Sequence, residues 1–216
     1  MATAWMRMPG ETWLAAAASF LGMWLLMMAA MMLPSLVPVL WRYQQAITVR
    51  STARRAGLTT LVGTGYFLVW TAIGVAVFTV GVAFMALEMR LPALAHATPI
   101  AAGVVVVLAG ALQFTTWKAH HLACFHEVPG QRYPMPPHSV AAWRNGLRLG
   151  LHCSYSCAGF TAILLVIGMM DLRVMAAATT AITAERLVPA GARTARASGA
   201  VAVAAGLFLI ARSVGM

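Results

Sequence analysis

Apolar residues fill six long stretches of the chain, and short polar segments separate them. A helix of about 20 apolar residues crosses about 30 Å of hydrocarbon; the last two stretches are shorter than this. The pattern predicts an all-α, polytopic membrane helix bundle, a single membrane domain over residues 1–216 with about six transmembrane helices. The predicted spans are Trp13–Leu40, Leu58–Leu87, Pro99–Trp117, Leu149–Met170, Val174–Val188 and Ser198–Ile210.

The fourth and fifth predicted spans are separated only by Asp171-Leu172-Arg173. We therefore expect them to form a tight helical hairpin, with a re-entrant pair as the alternative. The first span is much longer than the apolar core of a secretory signal, which is about 7–15 residues. We expect it to remain in the protein as a transmembrane helix.

Composition excludes a soluble globular protein. Hydrophobic residues make up 61% of the chain and charged residues 9%, whereas soluble domains carry about 25% charged residues. Such a chain cannot cover its core with a solvated shell, so its partner is the lipid bilayer. Three cysteines in a chain without a large external loop do not indicate a secreted disulfide framework.

The formal net charge of +10 comes from basic residues that lie between the apolar stretches. They do not form one face or arm, so nucleic acid is not the expected partner. Most of them fall in the first, third and fifth loops: Arg42, Arg50, Arg54, Arg55, Lys118, Arg132, Arg144, Arg148, Arg186, Arg193 and Arg196. The positive-inside rule places these loops in the cytoplasm and both termini outside it.

The predicted spans contain almost no ionisable residues, which are the groups that ion-coupled transporters use as relays. Glu185 and Arg186 lie near the inner end of the fifth span. We expect them to anchor that end in the interface rather than to act as a relay. The sequence therefore favours passive movement or binding over active transport.

Methionine is concentrated in the second half of the first span. Met27, Met28, Met31 and Met32 recur at helical spacing and give one side of the helix a thioether lining. The ordinary alternative is packing, because methionine fills irregular apolar gaps.

Two further groups of soft ligands lie near the same membrane level. His120 and His121 precede Cys124 by four and three residues, on a segment that we expect to extend the third helix. Cys153 and Cys157 begin the fourth span and share one helix face. Sulfur and imidazole donors favour Cu(I), with zinc as the second candidate, and the carboxylates that hard cations need are absent.

These motifs also resemble a known family. Trp24-x-x-Met27-x-x-Ala30-Met31-Met32-x-Pro34, Gln113-x-x-x-Trp117-Lys118-x-x-His121-Leu122-Ala123-Cys124 and His152-Cys153-x-x-x-Cys157, followed by Gly168-x-Met170-Asp171-Leu172-x-x-Met175 and Glu185-Arg186-Leu187, are similar to the predicted metal-binding membrane proteins of domain of unknown function 2182. The resemblance covers about residues 20–190. It implies a multi-span protein of the bacterial inner membrane, sometimes labelled a copper chaperone.

The sequence thus predicts a protein, not an enzyme, that binds a soft metal ion at the cytoplasmic end of the bundle for handover or passive movement. The predicted principal ligands are Cys124, Cys153 and Cys157, the auxiliary ligands His120 or His121, and the relay Met27, Met28, Met31 and Met32. A metal donor or acceptor protein is the expected partner. The alternatives are an assembly subunit of a membrane complex, which binds no metal of its own, and a membrane thiol redox protein.

Overall fold

The computed structural model describes residues 12–47, 49, 51–126, 138–168, 171–188 and 191–214, without the side chains of residues 92–97, 122–126, 192 and 214. All regular structure in this part of the chain is helical, which confirms the all-α class. The helices are α1 (Trp13–Ala46), α2 (Thr52–Arg90), α3 (Pro92–Leu112), α4 (Thr116–His126), α5 (Ser139–Ile167), α6 (Leu172–Leu187) and α7 (Gly191–Val214).

Local sequence signals explain several helix ends. The Thr12 hydroxyl accepts a hydrogen bond from the Ala15 amide and caps α1, and the Asp171 carboxylate does the same for the first turn of α6. Gly168 ends α5 with a φ of 134°, a conformation that favours glycine. Four residues, 168–171, separate α5 from α6 along the chain, and the hairpin of the two helices stays a prediction.

The segment with His120 and His121 is not an extension of the third helix. Helix α3 ends at Leu112, and the chain turns through residues 113–115 before α4 begins at Thr116. The turn is closed by hydrogen bonds from the amides of Gln113 and Phe114 to carbonyls three residues earlier. The expectation of one continuous helix is therefore wrong, and α4 can take a direction of its own.

Glycines set the closest helix contacts. A Cβ atom on Gly150 of α5 would lie 3.0 Å from the Tyr66 carbonyl oxygen of α2, and one on Gly146 would clash with the Val62 carbonyl. Since the later residue of α5 meets the later residue of α2, these helices run parallel. If successive spans cross the membrane in opposite directions, the second and fourth predicted spans must run the same way, as α2 and α5 do.

The core forms mainly between α1, α2, α5 and α6. Trp24 of α1 donates a hydrogen bond from its indole nitrogen to the Trp70 carbonyl of α2 at 2.9 Å. Phe20 stacks on Trp24 one turn away. These contacts tie α1 to α2 and bring the methionines of α1 towards α5.

Among the residues that the structure describes, four helices are long and apolar enough to cross a membrane: Trp13–Ala46, Thr52–Arg90, Ser139–Ile167 and Arg193–Ser213. Thr98–Leu112 is a shorter apolar helix, and α6 has only 16 residues. Large apolar side chains on the outer surface, such as Leu26 and Val201, are compatible with a lipid environment. The count of about six spans and the side of the termini stay predictions.

Candidate functional site

The four methionines of α1 are buried side by side in the core. Met27, Met28, Met31 and Met32 are each at most 7% exposed. The Met32 Sδ lies 3.8 Å from the Cys153 Sγ of α5. The helical spacing therefore brings a thioether into contact with a thiol.

Helix α5 presents two thiols from consecutive turns. Cys153 and Cys157 are free and buried, with exposures of 0% and 2%. The Tyr66 hydroxyl of α2 lies 2.9 Å from the Cys153 Sγ. The name dithiol site is used below for the group of Cys153, Cys157, Met32, Tyr66 and Arg186.

Arg186 of α6 closes the dithiol site. Its Nη2 donates to the Sγ atoms of both Cys153 and Cys157, at 3.0 Å each. The same nitrogen donates to the Ser156 hydroxyl at 3.0 Å, and Nη1 donates to the Ser35 hydroxyl of α1 at 3.0 Å. One guanidinium thus connects α1, α5 and α6 around two sulfur atoms.

A buried ion pair lies next to Arg186. The Lys118 Nζ of α4 is 2.6 Å from the Glu185 Oε2, and the Ser198 hydroxyl of α7 donates to the other carboxylate oxygen at 2.7 Å. Lys118 also lies over the Phe160 ring, 5.0 Å from its centroid. Together with Ser198, the ion pair links α4, α6 and α7. The positive charge of Lys118 and the negative charge of Glu185 cancel.

The expected anchoring of Glu185 and Arg186 in the interface is wrong, because both side chains are buried among other helices, at 3% and 4% exposure. Sequence reasoning therefore missed Arg186 as part of the site. The signal available in the sequence was that two adjacent charged residues, Glu185 and Arg186, interrupt a segment that is otherwise nearly free of charge.

The histidines of α4 contact α5 at a more exposed position. The Nδ1 atoms of His121 and His152 are 3.1 Å apart, and the rings of Trp117 and Tyr155 pack against His121. His120 lies beside His121, with ring centroids 5.5 Å apart. Partial burial, and after it the neighbouring imidazoles of His152 and His120, lower the pKa of His121.

The structure thus brings together only part of the predicted ligand set. Cys153, Cys157 and Met32 meet, while His121 pairs with His152, which the sequence did not single out as a ligand. The side chain of Cys124 lies outside the described residues. Among the described residues, no group of three or more histidine, cysteine or acidic side chains is arranged to hold a metal ion.

The donor chemistry of the dithiol site suits a soft metal ion better than a hard cation. Two thiols and one thioether provide sulfur, the Arg186 guanidinium donates hydrogen bonds to both thiols, and the Tyr66 hydroxyl shares a hydrogen bond with the Cys153 thiol. Thiolate and thioether ligands select Cu(I) over Mg²⁺ or Ca²⁺, which prefer oxygen. The residues present therefore fit a copper ion.

A comparison with known protein families agrees with this chemistry. No curated protein and no solved structure matches the chain. A family model described as PpoB2, a copper chaperone, matches residues 21–209. This match covers most of the chain and confirms the family that the sequence motifs resemble. The chain therefore belongs to the PpoB2 copper chaperone family.

Proposed function

We propose that this protein binds Cu(I) at the dithiol site and hands it over, or lets it pass, at the cytoplasmic side of the membrane. The observation that carries the proposal is the meeting of Cys153, Cys157 and Met32 in one buried place. Membership of a copper chaperone family supports it independently.

Helix geometry favours metal binding over a disulfide. Residues four apart on a helix have Cβ atoms about 5–6 Å apart, whereas a disulfide needs about 3.5–4.5 Å. Cys153 and Cys157 lie within one continuous helix. A metal ion held by both sulfur atoms would lie between them, so it would not need the two Cβ atoms to approach to the distance of a disulfide. The spacing therefore disfavours the thiol redox alternative.

Movement of the cargo would proceed by ligand exchange. Met27, Met28 and Met31 continue the thioether lining of α1 beside the dithiol site. His121 and His152 provide imidazoles nearer the surface. Successive soft sites of similar affinity pass a metal without a large barrier. In this proposal His120 is a further auxiliary ligand, and a soluble or membrane-bound protein is the donor or acceptor.

The proposed location is the inner membrane of a bacterium, crossed several times. The apolar helices support a membrane environment. Basic residues cluster near the ends of helices that we assign to the cytoplasmic side, such as Arg54 and Arg55 on α2 and Arg144 and Arg148 on α5. Cys153, the first residue of α5 in the dithiol site, follows Arg148 by five residues.

The test is a Cu(I) competition titration on the detergent-purified, reduced protein. We expect the wild type to bind copper stoichiometrically and the double variant Cys153→Ser, Cys157→Ser to lose this binding. Ser154→Ala on the same helix is the matched control, because the Ser154 hydroxyl donates to the Leu151 carbonyl of its own helix and, within the described residues, to no other group. Cys124→Ser, measured separately, shows whether the third thiol contributes.

Equal copper affinity in the wild type and the double variant would overturn the proposal and favour the assembly-subunit alternative. Zn²⁺ in the same titration decides between the two candidate metals. A zinc affinity that depends on both thiols, with no such copper affinity, would reassign the cargo.

A further inference from the structure

Two histidines from different helices meet where α4 contacts α5. The Nδ1 atoms of His121 and His152 lie 3.1 Å apart, and these two residues are named the histidine pair. Both side chains are partly exposed, unlike the buried thiols of the dithiol site. The proposed function uses the two imidazoles only as passing contacts for copper, but their geometry suits an ion of their own.

The distance between the two nitrogens fits an ion that both rings bind at once. Zinc–nitrogen bonds are about 2.0–2.1 Å long, so two of them place the nitrogens about 3.3 Å apart at a tetrahedral angle and about 2.9 Å apart at a right angle. The observed 3.1 Å lies between these values. A linear ion with the same bond lengths needs about 4 Å. The histidine pair is therefore arranged for a cation that accepts bent pairs of donors, as Zn²⁺ does.

The donor chemistry of the histidine pair also suits a borderline divalent cation. Imidazole is a ligand that Zn²⁺ favours, and a neutral ring binds metal through either nitrogen. When both Nδ1 atoms bind an ion, each ring carries its proton on Nε2. Water or further side chains fill the other positions on the ion, so the inference depends on the two imidazoles alone.

The histidine pair is separate from the dithiol site, although His152 and Cys153 are consecutive. Neighbouring residues on a helix do not share a face. Cys153 contacts Tyr66 of α2 and Arg186 of α6. His152 instead contacts His121 of α4. An ion at the histidine pair therefore does not need the two thiols.

The basic residues one turn away on the same two helices do not prevent a cation here. Lys118, which precedes His121, forms its ion pair with Glu185. Arg148, which precedes His152, is exposed, and exposed charges are screened by water and salt. Neither positive charge therefore acts at full strength on the histidine pair.

We propose that the histidine pair is a second metal site, which holds a borderline divalent cation of the Zn²⁺ type. Its two ligands come from different helices, so the bound ion fastens α4 to α5. This inference goes beyond the proposed function and does not depend on copper at the dithiol site.

The test is a Zn²⁺ competition titration on the detergent-purified, reduced double variant Cys153→Ser, Cys157→Ser, which lacks the dithiol site. We expect this protein to bind Zn²⁺. Adding His121→Gln or His152→Gln is expected to lower the affinity by about 100-fold or more, because the loss of a group that only supports a ligand already costs about 10- to 100-fold. His138→Gln is the matched control, because this exposed histidine precedes α5 and lies about 21 Å from His152 along the helix axis.

Two further measurements apply if a variant fails to fold. In an otherwise wild-type chain, His121→Gln is expected to lower the number of Zn²⁺ ions bound per chain by one. His121→Cys replaces the imidazole by another metal donor. With Co²⁺ as a spectroscopic substitute for zinc, it is expected to keep the binding and to add a sulfur-to-metal charge-transfer band. A histidine that only packs α4 against α5 would give neither result.

The outcomes separate the two proposals. If neither His121→Gln nor His152→Gln changes Zn²⁺ binding, in the double variant or in the otherwise wild-type chain, the histidine pair holds no ion and this inference fails. The copper proposal is then decided by its own titration. If Zn²⁺ binds through the histidine pair while Cu(I) binding does not depend on Cys153 and Cys157, this inference stands and the proposed function fails.

Discussion

For the side chains at the dithiol site, the sequence predicted which ones are buried together but not which ones are in contact. Helical spacing predicted that Met27, Met28, Met31 and Met32 share one side of α1, and all four are buried. The spacing could not indicate that Met32 is the one that contacts Cys153. That choice depends on how α1 is rotated against α5, which packing between the helices determines.

A substitution at Met32 tests its role. Met32→Leu is expected to weaken Cu(I) binding about 10- to 100-fold, the usual effect of removing a group that supports a metal ligand. Leucine has a similar volume, so the cost in stability is under about 1.5 kcal/mol. Cu(I) competition and thermal unfolding of the same samples measure the two effects.

Met31→Leu is the matched control for this prediction. Met31 is buried to the same extent as Met32, but in the described part of the chain no sulfur contact joins it to Cys153. A Met31 variant that loses as much affinity as the Met32 variant would contradict a specific role for Met32.

At the scale of helices, the packing of α3 against α7 depends on glycine. A Cβ atom on Gly110 would lie 2.8 Å from the Val203 amide nitrogen and 3.0 Å from the Gly199 carbonyl oxygen. Seven residues earlier on α3, a Cβ atom on Gly103 would lie 3.1 Å from the Gly206 carbonyl oxygen. The two helices therefore run antiparallel with their backbones in contact, as small residues allow in membrane helix pairs.

This contact predicts opposite effects of the same substitution at two glycines. Gly110→Ala is expected to lower the free energy of unfolding by about 1–3 kcal/mol, because the methyl group meets backbone that cannot move aside. Gly63→Ala on α2, where nothing lies within 4 Å of the added Cβ, is expected to raise it by up to about 1 kcal/mol. Unfolding by denaturing detergent measures both, and equal effects would refute the explanation.

The boundaries of the helices were only partly accessible from the sequence. Every apolar stretch falls mainly on helical residues, but the third one, Pro99–Trp117, runs across the break between α3 and α4. Helix α5 begins at Ser139, ten residues before the apolar stretch at Leu149. Hydropathy detects the part of a helix that suits lipid and not the polar turns that extend it. The break before α4 went undetected because residues 113–117 carry no proline or glycine to mark it.

At the scale of the whole molecule, helix directions bear on the topology. Helices α2 and α5 run parallel, and α3 and α7 run antiparallel. An alternating arrangement of six crossings requires both relations. Helix α6, with 16 residues, is the shortest helix among the proposed crossings. The side of the membrane on which the C-terminus lies depends on whether α6 passes through the bilayer.

Reporter fusions test this topology. A phosphatase that is active only outside the cytoplasm and a galactosidase that is active only inside it are fused after Arg50, Leu91, Pro137, Asp171, Ala190 and Met216. The positive-inside rule predicts phosphatase activity after Leu91, Asp171 and Met216 and galactosidase activity after the other three. If the activities after Ala190 and Met216 are exchanged, α6 does not cross and the count of six is wrong.

The sequence by itself determined the properties that depend on local composition and periodicity. These are the helical class, the apolar stretches, the buried methionine side of α1 and the spacing of Cys153 and Cys157. Each of them follows from the 3.6-residue period and from the transfer of apolar side chains out of water. The family also follows from the sequence motifs.

Only the tertiary structure decided which distant residues meet. Arg186 lies 33 positions from Cys153 and 151 from Ser35, yet its guanidinium contacts both. Hydropathy predicts that a charged residue near a helix end will lie at the interface, because burial of an isolated charge is costly. The thiols and hydroxyls that accept hydrogen bonds from Arg186 come from other helices, so the stabilisation that permits its burial exists only after these helices have packed together.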